Sequence, residues 1–138
     1  MNDRIQCALQ FAAGSGNCAA ILNLLHSGAE IHAINKSART PLHEAAYWNL
    51  PDVAQYLISQ GANINIKALL GYTPLHAAVD GGNPAIASLL IMNGSNVNPL
   101  YMERFTPLDL AAQKGNQELV EVLRQHAGVS GVVLRPQR

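Results

Sequence analysis

Sliding the 138-residue chain against itself brings three copies of one phrase into register: TPLHEAA from Thr40, TPLHAAV from Thr73 and TPLDLAA from Thr106, 33 residues apart each time. One further step of 33 back from Thr40 reaches a degenerate fourth copy, CALQFAA at Cys7. A second phrase keeps the same beat, as SGAEIH from Ser27, QGANIN from Gln60 and NGSNVN from Asn93. Four units therefore tile a single domain at about 2–34, 35–67, 68–100 and 101–133, leaving a short tail at 134–138. A fixed period in this range implies a solenoid. A unit this short cannot bury its apolar face alone, so stacking on its neighbours must supply the stability.

Each unit reads as two short helices. Thr40, Thr73 and Thr106 are placed as N-caps, and the proline after each suits the first helical position. LHEAAYW and its equivalents then form an inner helix whose paired alanines permit close packing. Gly16, Asn49, Gly82 and Gly115 mark a turn where left-handed backbone is expected. An outer helix follows, with Pro51 or Pro84 in its first turn, Asn17, Asn83 and Asn116 as expected caps, and Gly28, Gly61 and Gly94 ending it.

With this register the chain resembles the ankyrin repeats, whose hallmark is G-x-TPLHxAA followed by an LLxxGAxxN run. The likeness covers nearly the whole chain and is strongest in the second and third copies. The first copy lacks Thr-Pro, as a capping repeat does, while the fourth has Arg104 where Gly71 stands in the third and Ala127 where the terminal glycine belongs. The resemblance implies an all-α solenoid of stacked antiparallel helix pairs, joined by β-hairpin-like fingers and curved around a concave face. It also implies that partners are gripped by the fingers and by the exposed ends of the inner helices.

Composition narrows the functions. Apolar residues make up 49% and charged residues 13%, with a formal net charge of zero, so direct binding to a nucleic-acid backbone is not expected. No apolar run approaches the roughly 18 residues of a membrane span, and the first residues lack a signal-peptide core. Two cysteines are too few for a disulfide framework, so the expected setting is the interior of a cell, cytoplasm or nucleus. Cys7 and Cys18 fall at opposite ends of a helix pair, beyond the roughly 7 Å that a bridge spans, and read as free thiols.

Catalytic chemistry finds little footing. His43 and His76 each follow a capping threonine by three residues, and Gln10 and Asp109 hold the same slot in the outer copies. Such drift fits a structural strut linking loop and helix better than a reacting group, and the resemblance implies the same. The other histidines and the cysteines lack the spacing of a metal site, so neither metal nor cofactor is expected. The Gly-x-Gly at 14–16 lacks the Lys-Ser/Thr and the preceding strand of a phosphate loop.

The partner surface implied by the resemblance carries the chain's large rings. Those slots hold Arg39, Tyr47 and Trp48, then Leu69, Leu70, Tyr72 and Asp80, then Met102, Glu103 and Phe105. Adjacent helical residues point about 100° apart, so Tyr47 and Trp48 cannot both sit at the centre of one buried stripe. An apolar patch of this kind, rimmed by charge, is the make-up of a binding hot spot, where one anchor is worth about 2 kcal/mol or more. The expectation is a monomeric protein–protein interaction module, an adaptor, scaffold or inhibitor, and not an enzyme. The alternative is a self-associating repeat unit whose exposed rings form a homodimer face.

Overall fold

The helix starts fall where the threonines and prolines place them. The structure, a computed structural model, describes residues 39–126. Among these lie six α-helices in three pairs: α1 (Pro41–Tyr47) with α2 (Pro51–Ser59), α3 (Pro74–Asp80) with α4 (Pro84–Met92), and α5 (Pro107–Gln113) with α6 (Gln117–Gln125). The expectations for Gln10, Cys7, Cys18 and the rest of the first copy lie outside the described residues.

Each inner helix opens on a capping box. The Thr73 hydroxyl accepts the His76 N–H at 3.4 Å and the Thr106 hydroxyl accepts that of Asp109 at 3.2 Å. In return, the threonine N–H groups donate to His43 Nδ1, His76 Nδ1 and Asp109 Oδ2, at 3.0, 3.1 and 3.0 Å. The inner helices close on Asn49, Gly82 and Gly115, with φ of 59°, 73° and 69°. The N–H after each returns to the carbonyl of Ala45, Ala78 or Ala111, a Schellman closure that satisfies an otherwise orphaned acceptor.

Stacking follows from side-chain size. Ala45, Ala46, Ala77, Ala78 and Ala111 are buried where α1 meets α3 and α3 meets α5, so the inner helices lie close together. The outer helices α2, α4 and α6 form a second layer that sends Leu57, Ile86, Leu90, Leu119 and Leu123 inward. Burying a leucine or isoleucine fully is worth roughly 1.5–3 kcal/mol, so the interior between the layers carries most of the stability.

One cap differs from expectation. Asn116 caps its own helix, accepting the Leu119 N–H at 3.2 Å. Asn83, in the same slot, does not cap α4; its amide reaches back across the stack and donates to the carbonyls of Ala46 at 2.7 Å and Tyr47 at 3.1 Å. The reason is close approach: a Cβ on Gly81 would overlap the Tyr47 carbonyl, so the end of α1 lies against the third copy's turn within the amide's reach.

The fingers are tight turns. Tyr101 and Phe105 form an antiparallel bridge, and the intervening Met102 and Glu103 have φ of 56° and 58°, as a type I′ turn requires. Leu70 and Gly71 turn the preceding finger, with φ of 63° and 87°. The fingers are joined by Met102, whose N–H donates to the Leu70 carbonyl at 2.8 Å.

Candidate partner-binding surface

The histidine struts lie beneath the surface and define it. His43 Nε2 donates to the Tyr72 carbonyl at 2.8 Å, and His76 Nε2 donates to that of Phe105 at 3.0 Å. A carbonyl can only accept, and Nδ1 of each ring already accepts a threonine N–H, so both rings are neutral with the proton on Nε2. Burial lowers both pKa values from the ordinary 6.5 to about 4, against the opposing pull of those carbonyls. Each ring thus ties a capping box to the next copy's finger and is not available as a base or ligand.

Between the two rings lies Tyr72, and here the structure corrects the sequence reading. Tyr72 was expected to be an open contact ring, yet it is 3% exposed. It stacks on His43 and His76 with centroids 6.1 and 5.8 Å away, meets Tyr101 edge-on at 5.2 Å, and carries the Arg39 guanidinium 4.8 Å over its face. Its hydroxyl donates to Asp80 Oδ2 at 2.5 Å. Burial, reinforced by that carboxylate, raises the phenol pKa well above its usual range. Tyr72 is therefore a cross-brace from finger base to inner-helix end. Asp80 is engaged in the same brace and pairs with Lys114 at 3.4 Å, so it is a half-buried connector between copies and not a loose rim charge.

The remaining expected contact residues divide by exposure. Trp48 is 45% exposed at the end of α1, its indole N–H on Glu44 Oε2 at 3.0 Å and its ring edge-on to half-buried Tyr47 at 4.9 Å. At the finger tips Leu69 is 59% exposed, Leu70 64% and Met102 46%, and Glu103 beside them is exposed too. Phe105 is half-buried under Arg104, whose guanidinium sits 5.5 Å from the ring centre. Arg39, also half-buried, lines an open cleft of about 200 Å³ with Ala68, Leu69, Leu70, Tyr72 and Tyr101.

Tyr101 is a residue that the expected contact set omitted, and it forms one wall of the cleft. In the 33-residue frame it falls with the buried Ala68, so the period marked the slot as inward-facing without revealing that a ring there would reach Tyr72.

Among the described residues no group of three histidine, cysteine, aspartate or glutamate side chains could hold a metal ion, and no helix is long and apolar enough to cross a membrane. Serial helix pairs, locked side by side and edged with open apolar tips, define a helical-repeat binding scaffold. The chain belongs to the ankyrin-repeat family, whose model of ankyrin repeats (3 copies) matches residues 1–68 and 66–132. Ankyrin repeats are protein–protein interaction modules on a non-catalytic fold, and they bind protein partners. The chain is similar to Rabankyrin-5 of Homo sapiens, 46% identical over 61 residues that make up 44% of this chain and 5% of that protein. Rabankyrin-5 of Mus musculus is 48% identical over 61 residues, with the same shares covered. Protein phosphatase 1 regulatory subunit 27 of Homo sapiens is 45% identical over 56 residues, 41% of this chain and 36% of that protein. The matched stretch thus spans 5% of the one relative's length and 36% of the other's.

Proposed function

We propose that this chain is an adaptor, scaffold or inhibitor inside the cell, acting as a monomer that grips one protein partner along the finger tips and inner-helix ends. The observation that carries the reading is the exposure of four large apolar side chains, Trp48, Leu69, Leu70 and Met102, at slots the fold does not need for its core. Three of them crown adjacent fingers, and two of these, Leu70 and Met102, stand on backbone held at positive φ. Non-glycine residues tolerate that conformation at a cost of about 1 kcal/mol or more, and it concentrates at ligand-contact sites. Finger tips and Trp48 are separated by the inner helix, seven residues or roughly 10 Å of axis, a span that one extended segment can cover.

The similarity to a regulatory subunit of protein phosphatase 1 supports a regulating role rather than a catalytic one. That protein's partner is not carried over, because repeat arrays diverge at the contact slots that choose it. Affinity capture with the wild-type chain and with Leu69→Asp/Leu70→Asp tests the reading. The exposed leucines can be replaced without disturbing the core, so the variant folds and loses at least one captured protein. A folded variant that keeps every captured protein refutes it. Sedimentation should show a monomer at micromolar concentration; a dimer broken by the same substitutions would replace this reading with self-association.

A further inference from the structure

The turn that ends the third copy's outer helix carries a reactive pair that its counterparts lack. Asn93 is the only asparagine in the sequence that is followed by glycine. The same slot holds Gln60 in the second copy and His126 in the fourth. An asparagine amide can be attacked by the next backbone nitrogen to close a five-membered ring, and glycine, with no side chain in the way, obstructs that closure least. Glutamine would have to close a less favourable six-membered ring, and histidine has no amide carbon to attack.

Asn93 and Gly94 are both exposed just past the end of α4, and a Cβ built on Gly94 would meet nothing within 4 Å. Two hydrogen bonds hold the pair. The Asn93 amide donates to the Leu89 carbonyl at 2.7 Å, and the Gly94 N–H donates to that of Ile91 at 3.1 Å. Both lie in the last turn, where helices fray, so they slow ring closure without preventing it. Two bonds of ordinary net strength slow it about thirtyfold. The same turn is fastened to the copy before it. Asn65 Nδ2 donates to the Gly94 carbonyl at 3.3 Å, and Asn65 Oδ1 accepts the Asn96 N–H at 2.6 Å.

We infer that Asn93 is a self-modification site whose conversion to isoaspartate unfastens the loops of the second and third copies. The Gly94 nitrogen gives its proton to solvent and bonds to Cγ of Asn93; the Cγ–Nδ2 bond breaks, and Nδ2 takes a proton from water and leaves as ammonia. Water then opens the ring at either carbonyl, giving aspartate or isoaspartate. Isoaspartate lengthens the main chain by one methylene just before Gly94. It also leaves a carboxylate beside the last carbonyls of α4, the negative end of the helix dipole. Gly94 and Asn96 are carried away from Asn65, and both bonds across the copies are lost.

The test is to age the folded chain at mildly alkaline pH and body temperature, beside the same chain in guanidinium chloride and beside Asn93→Gln, and to follow each asparagine by mass spectrometry of a digest. Asn93 should gain the mass of an amide turned into an acid, about thirtyfold more slowly in the fold than in denaturant, while Asn93→Gln stays unchanged at this position. The isoaspartyl chain, separated by ion exchange, should unfold at a lower urea concentration than both the unaged chain and Asn93→Asp, which keeps the main chain at its proper length. An Asn93 that outlasts its lifetime in denaturant by more than about a thousandfold overturns the inference, because such protection exceeds what two frayed bonds supply. Conversion no faster than at the other asparagines overturns it too. So does an isoaspartyl chain with the wild-type midpoint, which would show that the clasp through Asn65 survives.

Discussion

Acid should loosen this array through two buried rings. His43 and His76 are held neutral in the fold with pKa values of about 4, against 6.5 when the chain is unfolded. Between those values the unfolded chain binds more protons, so stability is complete above about pH 7 and is lost as the pH falls towards 4. For one such group the loss between neutral pH and pH 5 is about 2 kcal/mol, and its limit below pH 4 is about 3 kcal/mol. Two groups therefore remove about 4 kcal/mol at pH 5, a large share of the roughly 5–15 kcal/mol of a typical domain. The mechanism is local: a proton added at Nδ1 would face the N–H of Thr40 or Thr73, which already donates there. Urea unfolding at pH 7.5 and pH 5 reads the effect, and with an ordinary slope the midpoint should fall by about 2 M. His43→Gln/His76→Gln should be less stable at pH 7.5 and nearly indifferent to this change in pH. The reasoning fails if wild type has the same midpoint at both pH values, or if the double variant loses as much as wild type. It fails as well if the two ring signals titrate near pH 6.5 in the native protein's NMR spectrum.

Gly81→Ala should cost about 3 kcal/mol, because the new methyl overlaps the Tyr47 carbonyl and the Asn83 amide and only backbone movement relieves it; a melting temperature within a degree or two of wild type would contradict the packing described. Tyr72→Phe should lose about 2 kcal/mol by deleting a hydrogen bond to a carboxylate, measured by chemical denaturation, while leaving captured proteins bound as by wild type. A loss of a captured protein with no loss of stability would return Tyr72 to the contact surface.

What could be read from the sequence was whatever repeats. The period placed the helix pairs, the Thr-Pro phrase their starts, and the adjacency of Tyr47 and Trp48 the exposure of at least one of the two rings. What could not be read was the outcome of unlike neighbours meeting in equivalent slots. Arg39, Tyr72 and Phe105 share one slot, and the period gives them one address. Tyr72 is covered because Arg39 lies above it, Tyr101 beside it and Asp80 takes its hydroxyl, a combination no single copy contains. Asn83 and Asn116 are likewise the same residue at the same address. Their amides part company because glycine stands two residues before the one and Lys114 two residues before the other, which decides how near the previous helix comes.

The backward reach of Asn83 has an engineering corollary. This clasp between the inner-helix ends of the second and third copies is supplied by the later one, as a glycine that admits the neighbour and an amide that grasps it. Splicing a duplicate of residues 68–100 in tandem would therefore import its own clasp, and a lengthened array should still melt in one concerted step.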